Sequence, residues 1–412
     1  MPVRFRRLLM SHSMRRLASI LFLVIGGLSI TACSQPPPSE APYEDAWGIV
    51  EIRPARPLYI GVVTSTYDPG LAQESLEITR GVELAIQRRI HIRGFIVQTE
   101  VVNTYCSETG GLLAAQIFTN HPYVVSAIGH VCSLSCLTGA SLYDEAFYTT
   151  ISPSCSATSL TDQVTHNDSF MRTIYRDSAE AETAARYAYI EMGARRAALV
   201  HDGTIDTSEL IAAFQTTFEH LGGTIVAIET ITPGGDNFQA QLEAIGDANP
   251  NVIYAPLLPS DAITLVKQRV DLGLSRIPLI GGRHYWSTWF AEQVKGYGEG
   301  IYAVGPILDN EAYNSLTAAY ISEYGEEPSN PLFAYSYDAT VMLLQAIEKV
   351  AIVTPSGYLQ IGRRALRETL YSTSTFPGLT GTLTCTNWGD CSATTLAVGQ
   401  IQFSEWRTIY IP

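Results

Sequence analysis

Lysine is almost missing from this sequence: Lys267, Lys295 and Lys349 are the only three in 412 residues. Counting arginine as well, 26 basic residues stand against 40 acidic ones, a formal net charge of −14. A chain so poor in cations lacks the basic footprint that nucleic acid requires. Charge of this kind speaks to partners and not to fold. Two phosphate-cradling motifs, G-x-G-x-x-G and G-x-x-x-x-G-K-[ST], are also missing. So is the G-x-S-x-G elbow of one large hydrolase class. Beyond residue 32 no run of roughly eighteen apolar residues would span a bilayer as a helix.

Acids are absent from residues 1–32, which carry Arg4, Arg6, Arg7, Arg15 and Arg16 ahead of an apolar run from Leu17 to Ile30. A basic start followed by a short, Gly-containing apolar stretch reads as an export signal and not as a membrane span. It ends in Ile30-Thr31-Ala32-Cys33, which resembles the lipobox of bacterial lipoproteins. That resemblance implies that Cys33 is acylated and heads the mature chain. Residues 33–57 begin Cys33-Ser-Gln-Pro-Pro-Pro-Ser-Glu-Ala-Pro42, a Pro-rich polar tether expected to pack on nothing. The expected product is exported, anchored by lipid to the outer face of the cytoplasmic membrane or in the periplasm, and otherwise soluble. Loss of five arginines with the signal takes its formal charge from −14 to −19. The roughly 355 residues beyond the tether suffice for two domains of ordinary size.

Six cysteines remain besides Cys33: Cys106, Cys132, Cys136, Cys155, Cys385 and Cys391. An even number in an exported chain points to disulfides. Zinc held by His130, Cys132, Cys136 and Cys155 is the competing reading, weakened by a C-x₃-C spacing that is marginal for that metal. No metal or other cofactor is expected.

Apolar runs of strand length alternate with helical periodicity along most of the chain. Leu58-Tyr-Ile-Gly-Val-Val63 is a strand, and Leu76, Val82, Ala85 and Ile86 recur on one helix face. Strands at 95–102, 123–128 and 148–151 then alternate with helices at 112–118 and 137–145. A second series follows, with helices at 179–192, 210–220, 238–245 and 262–272 and strands at 197–201, 224–231, 252–255 and 278–280. Such alternation predicts α/β architecture, with parallel sheets covered on both faces. The C-terminal part departs from it: helices at 332–350 and 362–371 precede strands at 380–384, 395–403 and 408–411.

Two Ser/Cys clusters end apolar runs: His130-Val-Cys-Ser-Leu-Ser-Cys136 and Ser152-Pro-Ser-Cys-Ser156. On residue type alone they are metal ligands, a nucleophile with helpers, cleft hydroxyls, or Ser-rich turns capping the next helix. Residues 129–161, Gly-His-Val-Cys-Ser…Ile-Ser-Pro-Ser-Cys-Ser-Ala-Thr-Ser-Leu-Thr, resemble the G-H-x-x-S, ISPSAT and LT signatures of the leucine/isoleucine/valine-binding proteins. That family comprises type I periplasmic binding proteins that serve ABC transporters. Met171-Arg-Thr173 with Asp177, Gly193 to Asp202, Gly222-Gly with Phe238, Gly281-Gly282, Tyr335-Ser-Tyr-Asp-Ala339 and Gly378-Leu-Thr-Gly381 fall in the same family's order. The resemblance covers nearly all of the mature chain.

It implies a type I periplasmic-binding-protein fold: two Rossmann-like lobes with parallel sheets, joined by a three-crossing hinge. Lobe one would be 58–176 with 307–384, and lobe two 178–305 with 385–412. The crossings would fall near Asp177, near Gly305-Pro306 and near 385–391. It further implies that Ser133, Ser154 and Ser156 hold the carboxylate and ammonium of a small ligand, an amino acid or other carboxylate, in a cleft closed by the hinge. The implied pairings are Cys106 with Cys132, Cys136 with Cys155, and Cys385 with Cys391. The implied partner is an ABC-transporter permease, served by a monomer. A ligand sensor signalling to a membrane partner has the same sequence features, and an exported hydrolase would have to use His130, Ser133 and Asp144.

The second-lobe side departs from the family pattern. Arg283 stands where an acid receives the ligand's ammonium, and Asp206 and Leu257 stand where aromatics pack on the ligand. In the first lobe Glu74 replaces another aromatic. Arg283 would repel an ammonium, so either Glu74 or Asp206 takes that role or the ligand carries a second acidic or polar group. Asp177 completes the expected ligand-contacting set.

Overall fold

The computed structural model describes residues 44–412. The expected export signal, Cys33 and the Pro-rich start of the expected tether lie outside the described residues. Two sheets make the frame. The first has six strands in the spatial order His91–Ile92, Phe95–Asn103, Leu58–Thr64, Val124–Ile128, Thr150–Ser152 and Phe170–Arg172. All neighbours are parallel except the short edge pair. The second has seven, in the order Glu405–Tyr410, Leu396–Gln402, Tyr302–Pro306, Leu279–Gly281, Val252–Tyr254, Arg196–His201 and Thr224–Thr230. Its first two strands join antiparallel and the rest are parallel.

The sequence of the central strands follows from their position. Val124–Ile128 and Val252–Tyr254 are buried at every residue, because helices cover both faces of a parallel sheet. Helix Pro69–Arg88 begins where Asp68 accepts the N–H groups of Gly70 and Leu71, with proline at its first position. It packs along helix Leu332–Val350. Gly81 makes that approach possible, since a Cβ there would collide with the Phe333 carbonyl.

The chain passes between the two sheets at 173–176, at 307–310 and at 384–395. After the second passage, helices Glu311–Tyr324 and Leu332–Val350 pack on the first sheet's side, where Leu316, Tyr320 and Phe333 meet Leu84 and Ala85. Each sheet has its own core, one around Ile60, Val62 and Leu343, the other around Ile253, Leu265 and Tyr285. A third apolar cluster bridges them, joining Leu71, Val131, Leu332 and Tyr335 to Leu199, Phe214, Tyr254 and Val304.

One expectation is corrected. The stretch 33–57 does not stay unpacked to its end: Ile49–Ile52 is a strand, antiparallel to Leu359–Gly362, with Val50 and Ile52 buried. Its alternation, Ile-Val-Glu-Ile, is too short to stand out against the Pro-rich composition on either side. Trp47 also stacks on Phe147, with ring centroids 5.3 Å apart. Among the described residues no helix is long and apolar enough to cross a membrane.

The strand order places the crevices. In the first sheet the order reverses between Leu58–Thr64 and Val124–Ile128, and in the second between Arg196–His201 and Val252–Tyr254. Crevices open at the carboxyl ends of strands flanking such reversals. The loops after these strands meet one another between the lobes.

Candidate functional site

On the first-lobe side, Ser133 begins helix Ser133–Glu145, four residues ahead of the start expected from periodicity. The Ser-rich segment is therefore the first turn of a helix, whose N–H groups and dipole favour an anion. That anion is supplied by the protein. The Ser133 N–H donates to Asp206 Oδ1 of the second lobe at 2.9 Å, and the Ser133 hydroxyl accepts the Ala157 N–H at 3.2 Å. The Ser154 hydroxyl donates to the Val131 carbonyl at 2.8 Å. The Ser156 carbonyl accepts the Asp177 N–H at 2.8 Å, and the Ser156 hydroxyl favours the charged form of the Asp177 carboxyl. Two disulfides fix these loops: Cys106–Cys132 at the helix start, and Cys136–Cys155 between the helix and the loop carrying Ser154 and Ser156. The third, Cys385–Cys391, closes a small loop in the passage 384–395.

From the second lobe, Arg283 and His284 reach across. Arg283 Nη1 lies 3.4 Å from Glu74 Oε2, and its Nη2 donates to the Ser154 carbonyl at 3.1 Å. His284 Nδ1 is 2.7 Å from Glu74 Oε1. Burial pushes the Glu74 carboxyl up, but His284 and Arg283 outweigh it and hold the group below the ordinary carboxylate value. Burial likewise opposes the Arg283 charge, and Glu74, Tyr175, Glu180 and Asp177 together raise its affinity for the proton. Further ties between the lobes run from the Ser260 N–H to Asp68 Oδ2 at 3.0 Å and from the N–H groups of Thr158 and Ser159 to Glu209.

The structure thus brings together Glu74, Ser133, Ser154, Ser156, Asp177, Asp206 and Arg283. Leu257 does not join them. It is fully buried in the second lobe's core with Ala255, Leu265 and Tyr285, because an aliphatic side chain at the end of a central strand gains more from that core than from a polar cleft. Four cleft groups escaped the sequence reading: Glu180, Tyr175, Tyr254 and His284. Glu180 carried a signal, standing three residues after Asp177 and so on the same face of helix Asp177–Arg186.

Asp177 and Glu180 are the least compensated charges in the cleft. Burial raises Asp177 to about 7, offset in part by the Ser156 hydrogen bond and by Arg283. Burial and the neighbouring Asp177 raise Glu180 to about 8, although Arg283 opposes the shift. Glu180 Oε1 accepts the Arg283 backbone N–H at 3.0 Å. A space of about 20 Å³ beside Arg283 is lined by Glu74, Tyr175, Arg283, Ser287, Pro306 and Tyr335 among others, and not by Asp177 or Glu180. It shares Ser287, Pro306, Asn330 and Pro331 with an outer groove of about 500 Å³, walled by Trp286 and Trp406.

The hydrolase arrangement is not assembled. His130 is buried against Tyr143, 3.2 Å from its hydroxyl, and burial lowers the imidazole to about 3. Asp144 pairs instead with Arg367 at 2.9 Å.

Comparison with known proteins adds to this geometry. A family model described as periplasmic binding protein matches residues 58–402. The leucine-specific-binding protein of Salmonella typhimurium is 24% identical over 229 residues, which are 55% of this chain and 61% of that protein. The chain therefore matches about three-fifths of that relative's length. A Leu/Ile/Val-binding protein homolog from Brucella melitensis is 23% identical over 353 residues, covering 81% of this chain and 88% of its own. Among solved structures, a leucine binding protein from Thermotoga maritima superposes with a TM-score of 0.77 at 21% identity, over 86% of this chain and 98% of that one.

Proposed function

This chain belongs to the periplasmic binding protein family, and from that membership we propose that it is the extracytoplasmic solute-binding subunit of an ABC importer, anchored by lipid on Cys33. It holds a small polar ligand between its lobes, the three passages at 173–176, 307–310 and 384–395 serve as the hinge, and the closed form delivers the ligand to a permease. The observation that carries this reading is the meeting of the two strand-end crevices across one cleft. Ser133, Ser154 and Ser156 face Asp206 and Arg283 there through direct hydrogen bonds or shared partners. Such groups can hold a ligand's polar ends in a dry site, where each hydrogen bond is costly to leave unmade.

The relatives are named for leucine and for branched-chain amino acids. Arg283, paired with Glu74 where the family pattern has an acid free for the ligand, argues against transferring that specificity. The test is a thermal-shift panel of neutral, basic and acidic amino acids, simple carboxylates and simple amines. A ligand at about 100 times its Kd adds about 2.7 kcal/mol of stability, and at least one class should do so. If no class shifts the transition, the binding-protein reading fails. For the anchor, Cys33→Ser should move the protein from the detergent phase to the aqueous phase or leave it unprocessed, and unchanged membrane retention would contradict the lipid assignment.

A further inference from the structure

The cleft carries four carboxylates, on Glu74, Asp177 and Glu180, which are buried, and on Asp206, which is half-buried, against Arg283 and His284. Two of the four are already used. Glu74 serves both Arg283 and His284, and Asp206 takes the Ser133 N–H. Asp177 and Glu180 remain, side by side on the first turn of helix Asp177–Arg186. One oxygen of each has no partner: Asp177 Oδ2 and Glu180 Oε2 are buried without a hydrogen bond. A third orphan comes from a different element. The Tyr254 hydroxyl, at the end of strand Val252–Tyr254, is fully buried and unpartnered, and it lies close enough to both acids to feel their charge. A buried polar atom left unpaired is destabilising, more so where the group is charged. Two of them on one helix turn and the third at a strand end ask for a donor-rich group of positive charge.

The donors that would serve a ligand carboxylate are, by contrast, occupied. The Ser133 N–H goes to Asp206, the Ser154 N–H goes to the Ser152 hydroxyl at 3.1 Å, the Ser154 hydroxyl goes to Val131, and the Arg283 fork is shared between Glu74 and the Ser154 carbonyl. A carboxylate entering here would also meet Asp206 at close range, where like charges repel strongly in a medium drier than water.

We infer that the cleft selects a small organic cation without a carboxylate, an amine or a guanidine, whose N–H donors fill Asp177 Oδ2 and Glu180 Oε2 beside the Tyr254 hydroxyl. The inference rests on the binding-protein reading above and narrows its ligand class. The aromatic rings of Tyr175 and Tyr335, 6.3 Å apart and edge to face, border the enclosed space and suit the ligand's apolar part or its charge. Because that space is about 20 Å³ and its lining does not include the two acids or Tyr254, the ligand reaches them only as the lobes part. The Arg283 guanidinium, already among Glu74, Asp177 and Glu180, is the internal cation with which the ligand competes.

The test is calorimetry on the full chain in mild detergent, with putrescine, agmatine, leucine and glutamate as probes. Putrescine or agmatine should bind, and leucine and glutamate should not. Glu180→Gln should weaken the amine at least tenfold while the ligand-free melting temperature does not fall. Tyr254→Phe, a milder change, should weaken it several-fold. Binding of leucine or glutamate without binding of either amine overturns the inference and leaves the binding-protein reading intact. Amine binding that is unchanged in both variants places the amine elsewhere and also overturns it. If none of the four probes binds but another carboxylate or amino acid in the thermal-shift panel does, the inference again fails alone; if nothing in that panel binds, both fall together.

Discussion

At the scale of single residues, Arg172 ties the cleft to the third passage between the sheets. Its side chain is fully buried. It pairs with Asp390 Oδ2 at 2.9 Å, donates to the carbonyls of Ser156 at 3.0 Å and Ala157 at 2.8 Å, and bonds the Thr161 hydroxyl. Its backbone pairs with Gly389 and Cys391 in the third passage. One residue therefore fixes both the loop bearing Ser156 and the segment 384–395. Burial lowers the Arg172 proton affinity below its ordinary value, and Asp390 offsets part of that loss. Arg172→Met fills the space but leaves Asp390, still held by Ser392, with Arg176 at 3.8 Å as its nearest cation. Breaking a buried pair from one side costs about 3–5 kcal/mol, and urea denaturation should show a loss of that order. A loss below about 1 kcal/mol would mean that Arg176 replaces the missing partner. The sequence displayed Arg172 as part of Met171-Arg-Thr173 but gave no sign of its burial, which depends on a segment more than 200 residues away. Leu257 shows the same limit from the other side: its position along the chain said where it lies and not which way it faces.

Among elements, the segment joining strand Val124–Ile128 to helix Ser133–Glu145 sets the shape of the first-lobe wall. The Cys136–Cys155 bond clips that helix to the loop after Thr150–Ser152 and closes a sequence separation of 19. In the chain-entropy model a loop of this size is worth about 3 kcal/mol. Changing both cysteines to serine should lower stability by about that much and weaken ligand binding as well, since Ser133 and Ser156 are no longer held in register. Equal loss of stability with unchanged affinity would show that the helix start is positioned by packing alone. The elements that form this wall were largely legible. Long apolar runs gave the central strands, and periodicity gave helix Leu332–Val350 at its observed bounds. Short elements were not, nor was helix Glu311–Tyr324, which buries only Leu316 and Tyr320. Ile49–Ile52, Phe170–Arg172 and Thr288–Gln293 span too few residues for a period to show, and pairing or packing supplied from elsewhere decides them.

For the whole molecule, the cleft makes stability depend on pH in a defined direction. The folded values of Asp177, about 7, and Glu180, about 8, lie above their ordinary values of 3.8 and 4.5. The ligand-free fold therefore holds protons that the unfolded chain has released, and stability falls as pH rises from about 4 through about 8. Asp338 and Asp261, each raised to about 6 by burial first of all, act in the same direction. Glu74 and Asp390 are depressed, so the stability they contribute is lost only in acid, as pH drops through their folded values. The groups facing the Asp177–Glu180 pair are Arg172 and Tyr175 before the helix, Asp206, Tyr254 and Arg283. Melting temperatures of the ligand-free protein should decline from pH 5 to pH 8, and Glu180→Gln should flatten the decline; a flat profile in the parent would show the pair to be compensated. The most direct test of a solute held between the lobes is a crystal structure grown with the ligand that the thermal-shift panel identifies. The account predicts that ligand enclosed between the Ser133–Ser156 wall and the first turn of helix Asp177–Arg186, with a polar atom within hydrogen-bond distance of Glu180. A ligand seated instead in the outer groove against Trp286 and Trp406, with the Arg283–Glu74 pair undisturbed, would contradict it.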